Sequence, residues 1–333
     1  NNEQLGADEA EAYFDMEVRP SKNWRVEMGV NGSTFQIRNT GYRALLPRFR
    51  VQRSGPRGWT QWVGYHRNTQ YLHQIGSFNI SLPFELWVPS TPKVQPEQVW
   101  QLSLGIGKQH RKWGWQVEGY YKRLDRVLTF LTSNDALVTG GAEDASGWED
   151  RIATGEGRSY GAELSIEKSF GSTTGSIAYT ISKTDRRFPD INSGETFPFR
   201  YDRLHDLKIS LHQRIASWLS ADLVWAYATG NPITLAGVKY THQSPGNDLK
   251  REVYVFTEVN GYRLPAYHRL DVAFNARFTS GRVRHGFQLG VYNAYNRYNP
   301  FYLYLDGRSG EKGKAIQYTL LPILPAFRYE IKL

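Results

Sequence analysis

The sequence predicts an all-β chain, an antiparallel up-and-down transmembrane β-barrel, on three observations. Polar and apolar residues alternate with period two almost throughout, the alternating segments are long, and tight turns take turns with long links between them. The last segment, FRYEIKL (327–333), shows the pattern: Phe327, Tyr329, Ile331 and Leu333 share one face, and Arg328, Glu330 and Lys332 the other. A soluble sandwich would bury the apolar face in a core; a barrel turns it to lipid and leaves the charges in the lumen.

Length decides between these. The segments run about 10 to 18 residues, against about 5 to 6 for common soluble strands, and a tilted barrel strand needs about 9 to 11 to cross the hydrocarbon. Leu207, Ile209 and Leu211 oppose Lys208, Ser210 and His212; Trp100, Leu102, Leu104 and Ile106 oppose Gln101 and Ser103; Leu270, Val272 and Phe274 oppose Asp271 and Asn275. Leu207, Ile209, Leu211, Phe274 and Tyr329 are therefore expected on the lipid side. About 13 strands are expected, starting near residues 11, 24, 41, 59, 98, 113, 158, 173, 205, 218, 267, 282 and 315.

Tight turns are expected at Pro20–Asn23, Ser54–Gly58, Lys108–Lys112, Gly171–Ser172, Ala216–Ser217 and Ser280–Gly281. Long irregular links are expected at Ser77–Gln98, Leu131–Gly157, Pro189–Leu204 and Ala236–Tyr267. Short turns on one rim and long loops on the other match a barrel with a periplasmic and an outer end. Trp24, Trp59, Trp113 and Trp218 each follow a tight turn, which predicts a girdle of indoles at the periplasmic interface.

Composition fits this reading. The 333 residues are 40% hydrophobic and 14% aromatic, with 10 Trp, 21 Tyr and no Cys. Mean hydropathy is −0.55, and no apolar run is long enough for a spanning helix, so a helical membrane protein is excluded. The net charge of +9 is spread through the strand segments; without a Lys/Arg block, no nucleic-acid partner is expected, and either a mixed-charge surface or an anionic partner accounts for it. The start, NNEQLGADEAEAYF, does not have the form of a signal peptide. An odd strand number predicts that residues 1–333 are part of a barrel whose N-terminal strands lie elsewhere.

Chemistry-bearing motifs are few. No HExxH occurs; His66 and His73 are expected on opposite faces of one strand, and no metal or cofactor is expected. GIGK (105–108) and GRSGEKGK (307–314) miss the phosphate-loop pattern, and no nucleophile stands in an enzymatic frame. The densest polar cluster is Asp202, Arg203, His205 and Asp206 in YDRLHDL, expected to tie a loop to the wall, with Asp206 in the lumen. Phe78, Phe84, Trp87, Trp148, Phe197, Tyr254 and Phe256 lie on the long links; they are candidate ligand contacts, or else pack the loops on one another. Lys239, Lys250, Arg251 and Arg263 would offer charge to an anionic group or to lipopolysaccharide, and Thr241–Asn260 is expected to be removable without loss of the barrel.

Several stretches resemble the barrel of Bacteroidota TonB-dependent receptors: YGAEL, AYTISKTDRRF, the N-x-G of Asn192–Gly194, YDRLHDL, AYATGNPITL, NAYNRYNPFY and the ending LLPILPAFRYEIKL. The likeness covers the chain in pieces and departs at the end, where Leu333 stands in place of the common Phe. It implies a barrel of about 22 strands in the outer membrane of a Gram-negative bacterium, its lumen closed by a plug that is expected N-terminal to the barrel and outside residues 1–333. It further implies import of a bulky nutrient or metal chelate, a TonB-type coupling protein acting through the plug, outer-membrane lipid around the wall, and a surface lipoprotein as lid. A passive porin and a scaffold barrel are the alternatives.

Overall fold

The computed structural model describes residues 6–76, 85–130, 148–243, 250–256, 258–306 and 314–332. Thirteen strands form one continuous antiparallel wall in chain order. They are β1 (Ala7–Ser21), β2 (Trp24–Ile37), β3 (Thr40–Ser54), β4 (Trp59–Gln70), β5 (Glu97–His110), β6 (Trp113–Phe130) and β7 (Ile152–Lys168). There follow β8 (Thr173–Arg187), β9 (His205–Arg214), β10 (Leu219–Ala228), β11 (Tyr267–Ser280), β12 (Val283–Tyr292) and β13 (Leu324–Lys332). A short strand, Phe197–Pro198, adds to β8. β1 and β13 are the two edges of this sheet.

Cross-strand register sorts the side chains into two faces, because directly paired residues point the same way. Ile209 pairs with Ile177 and Trp225, and Trp225 with Leu270. Phe274 pairs with Leu289, and Leu289 with Phe327. One face is thus apolar across these strands, and Leu207, Ile209, Leu211, Phe274 and Tyr329 all lie on it. Leu211, Phe274 and Tyr329 are exposed there.

The other face is polar, and its side chains converge across intervening strands. Arg48 of β3 passes over Gly29 of β2 to hold both carboxylate oxygens of Asp15 of β1 through Nε and Nη2. Trp62 of β4 lies on Gly105 of β5 and donates its indole N–H to Glu118 of β6 at 2.8 Å. A Cβ at Gly29 would strike both Asp15 and Arg48, and one at Gly105 would strike the Trp62 ring. Side chains two strands apart meet on the concave side of a curved sheet, so the polar face is the inner one. A cleft of about 290 Å³ on it is lined by Asp222, Asp271, Gln288 and Arg328 above the small residues Ala273, Gly290 and Ala326.

The expected strand starts agree with the wall except at two places. β7 begins at Ile152, because β6 carries a bulge at Arg126 (φ 63°) and continues to Phe130, so the hairpin is longer than its alternation suggested. The strand expected from residue 315 is two elements. Lys314–Thr319 pairs with Pro300–Asp306 in a separate hairpin, and β13 begins at Leu324. Leu321 (φ 55°) and Pro322, which lacks an N–H, break the run between them.

The six expected tight turns join β1–β2, β3–β4, β5–β6, β7–β8, β9–β10 and β11–β12 on one rim. The links on the other rim are more regular than expected: strands Leu72–Gly76 with Glu85–Pro89, and Ala236–Gln243 with Lys250–Phe256, make hairpins. β2–β3 is the exception there, a two-residue turn at Arg38–Asn39. His66 and His73 do not share a strand, since β4 ends at Gln70 and His73 lies in the hairpin that follows.

Changing Ile209 to Arg in the full-length protein places a cation on the apolar face and is expected to cost about 2–4 kcal/mol, whereas Ser210→Arg, on the polar face, costs far less. Equilibrium unfolding in lipid vesicles measures the difference; equal losses would reverse the assignment of faces.

Candidate functional site

The geometry of the long-loop rim is set by three polar locks and one apolar cluster. The cluster joins two links to two wall strands. Phe188, Ile191 and Phe197, from the link between β8 and β9, pack on Val127 of β6, Ala153 of β7 and Val259 from the link between β10 and β11. Burial of each large side chain contributes about 1.5–3 kcal/mol.

The segment FPDINSGETF folds this way because Asn192 (φ 50°) and Ser193 (φ 56°) take left-handed conformations, which Asn tolerates, and reverse the chain in one short turn. The Asn192 amide then pairs with the Val259 backbone in both directions: its Nδ2 donates to the Val259 carbonyl at 3.1 Å, and the Val259 N–H donates to its Oδ1 at 2.8 Å. Asn260, also left-handed, donates from Nδ2 to the Pro198 carbonyl at 2.9 Å.

The second lock is the YDRLHDL segment, and all four of its singled-out residues take part. Asp202 is buried; its Oδ1 accepts the Thr184 N–H at 2.7 Å and its Oδ2 accepts Arg263 at 2.6 Å. Arg263 also donates to the carbonyls of Asp202 and Gly230. Arg203 donates to the Asn231 side chain at 3.0 Å and pairs with Asp206 at 3.5 Å. His205 meets the Tyr179 hydroxyl through Nδ1 at 2.8 Å, and its N–H donates to Thr229 Oγ1 at 2.6 Å. Asp206 pairs with Thr180 and Ala228 on the inner face.

The third lock is NAYNRYNPFY. Asn293 is buried with φ 53°; it donates to the carbonyls of Arg297 and Leu321 and accepts the Arg297 N–H. Asn296 Oδ1 accepts the Ile323 N–H, and Asn299 bonds the His268 backbone in both directions. These asparagines fix the path from β12 to β13.

The candidate aromatics separate. Phe197 is buried in the apolar cluster and stacks near Phe188, with ring centres 6.1 Å apart, so it packs loop on loop and offers no surface to a ligand. Trp87 is exposed on the strand Glu85–Pro89. Trp148 is half-buried in a short turn that Asp150 ties to Lys93 at 2.6 Å. Phe78 and Phe84 lie outside the described residues, and Tyr254 and Phe256 lie on a described strand whose side chains are outside them, as are those of Lys239, Lys250 and Arg251. Arg263, expected to offer charge to a ligand, is engaged by Asp202. Exposed aromatics that the sequence reading missed include Tyr201, Tyr262, Tyr295, Tyr298 and Phe301. Tyr295, Tyr298 and Phe301 sit inside the third motif, whose asparagines turn the chain outward there.

Of the four indoles, Trp24, Trp59 and Trp113 each open a wall strand on its apolar face, while Trp218 lies in the turn just before β10. Trp59 packs edge-on against Trp115, with centres 5.4 Å apart.

A curved antiparallel wall, polar within and apolar without, with loops locked on one rim, defines a receptor-type outer-membrane barrel. The chain belongs to the TonB dependent receptor-like β-barrel family, which matches residues 1–296, and this places it in the outer membrane of a Gram-negative bacterium. It is similar in fold to the ferripyoverdine receptor of the outer membrane of Pseudomonas aeruginosa (TM-score 0.62, 10% identity, 97% of this chain and 38% of that one). The ferric yersiniabactin uptake receptor FyuA from Yersinia pestis is similar too (TM-score 0.63, 12% identity, 97% and 45%). So is the FrpB iron transporter from Neisseria meningitidis (TM-score 0.60, 13% identity, 99% and 46%). The chain spans less than half the length of each of these structures. No curated protein matches it significantly.

Replacing Arg263 by Ala leaves the buried Asp202 carboxylate without its cation and should cost about 1–3 kcal/mol of local stability. Faster hydrogen exchange of residues 188–204 with an unchanged wall is the expected reading; uniform protection would show that the lock contributes nothing.

His73 is buried and meets Ser90 Oγ at 2.8 Å, and burial lowers its pKa from 6.5 to about 4. The folded hairpin therefore keeps the imidazole neutral while an unfolded one takes up a proton. Hairpin stability should be constant above about pH 6.5 and fall as the pH drops toward 4. Exchange of residues 71–76 and 85–90 across that range measures it, and His73→Gln should flatten the profile.

Proposed function

We propose that this chain is the wall of an active outer-membrane importer for a bulky nutrient or metal chelate, of the kind that the motif set associates with Bacteroidota. The observation that carries the reading is the inner face. An arc of thirteen strands already spans a lumen too wide for its own side chains to fill, and that face is lined with charge. Such a lumen either conducts water or holds a plug, and family membership favours the plug.

The wall is closed in the working protein by further strands. β1 and β13 have unpaired edges, and an open edge in hydrocarbon leaves N–H and C=O groups unsatisfied at several kcal/mol each. In an odd antiparallel sheet both edge strands run the same way, so all-antiparallel closure takes an odd number of additional strands. Energy would reach the lumen through the plug from a TonB-type coupling protein. Lipopolysaccharide would surround the outer rim, and a surface lipoprotein is the fitting lid for a rim of exposed aromatics.

The three locks hold the base of the loops and leave the hairpin tips to choose the ligand. Removal of Thr241–Asn260 would take Val259 and Asn260 out of the locked cluster, so that segment is not a dispensable tip. Deleting residues 241–252 removes only the end of the hairpin. This shorter deletion should abolish ligand capture by whole cells at normal surface levels, while the longer one should also lower those levels. Unchanged uptake after the shorter deletion and after loss of the Glu85–Pro89 hairpin would move the site to the plug and lumen.

A further inference from the structure

The charge of +9 has an address. The six short turns and the residues flanking them read SKNW, SGPRGW, KQHRKW, KSFGS, RIASW and SGRVR, and contain no Asp or Glu. Three of these turns are linked to their neighbours along the rim by one repeated contact on the apolar face. Trp24 pairs in register with Arg53, Trp59 with Lys108, and Trp113 with Lys168. In each pair the cation lies over the indole, at 5.7, 4.8 and 5.7 Å from the ring centre. Among the described residues none of these three cations has a carboxylate partner.

The opposite rim differs. On the same outward face Arg123 pairs with Asp125 and Glu156, and Arg158 and Lys183 both pair with Asp185. Arg123, Arg158 and Lys183 are thus neutralised within the protein, whereas Arg53, Lys108 and Lys168 at the short-turn rim stay charged beside their rings, at headgroup depth. A cation stacked on an indole keeps free N–H donors directed away from the ring, and the repeat spaces such donors along the rim.

We propose that the short-turn rim is a docking collar for net-negative phospholipids of the adjoining leaflet, each Arg53, Lys108 or Lys168 taking a headgroup phosphate while its indole packs on the glycerol region. The inference rests on the membrane placement above and adds a lipid selectivity to it. Near a membrane surface each such cation favours an anionic lipid about fivefold.

The test is native mass spectrometry of the full-length receptor in detergent with equal amounts of phosphatidylglycerol and phosphatidylcholine. Selective retention of phosphatidylglycerol is expected, and inorganic phosphate at the same concentration should not displace it. The triple variant Arg53→Gln, Lys108→Gln, Lys168→Gln should lose most of the preference. A charge-matched variant on the inner face, Arg50→Gln, Lys122→Gln, Lys208→Gln, should keep it. Equal retention of both lipids by the native protein, which needs no variant to fold, overturns the collar, as does equal loss in the two triple variants. Displacement by free phosphate would make it an anion site unrelated to lipid. A receptor that fails to enter bilayers of either composition would overturn the membrane placement itself.

Discussion

In hydrocarbon a backbone group has no water to turn to, and that single constraint orders the molecule. It forces every wall residue into a ladder, fixes strand length at a membrane's thickness, and sets the period-two code in which one face must be apolar. The polar face then has to be the inner one. Arg48 reaching Asp15 over Gly29, and Trp62 reaching Glu118 over Gly105, are consequences: side chains crowd on the concave side, and glycine is placed where one must cross another strand.

Outside the membrane the constraint relaxes and another kind of order replaces it. The loop bases are held by short polar side chains that bond backbone: Asn192 to Val259, Asn260 to Pro198, Asp202 to Thr184, Asn293 to Arg297 and Leu321. Asn suits these places because it accepts a left-handed backbone and carries both a donor and an acceptor. The result is a fixed frame at the long-loop rim, in which the loop bases are held independently of the wall's own ladders.

The wall was legible in the sequence because its rule is local. Alternation marks faces, turn residues mark ends, and most expected strand starts fall within a few residues of those observed. The rule misled at residue 315, where KAIQYT (314–319) alternates almost as well as a wall strand yet pairs with Pro300–Asp306, since alternation records two faces and not which neighbour is bonded. The site was legible only in part. YDRLHDL stood out as a polar cluster, but Arg263, which completes it, lies 61 residues from Asp202 and looked like a free charge. For Phe197 the choice between ligand contact and loop packing stayed open, because sequence does not show that Val127, Ala153 and Val259 meet around it.

We propose that this chain is a wall segment whose two edges, open among the described residues, are satisfied by other strands. Refolding residues 1–333 alone into detergent micelles and comparing gel migration before and after heating tests it directly. No heat-modifiable monomer is expected, because β1 and β13 run parallel to one another and, among the described residues, each has one unpaired edge. A stable, heat-modifiable monomer would mean that the thirteen strands close on themselves, and would contradict it.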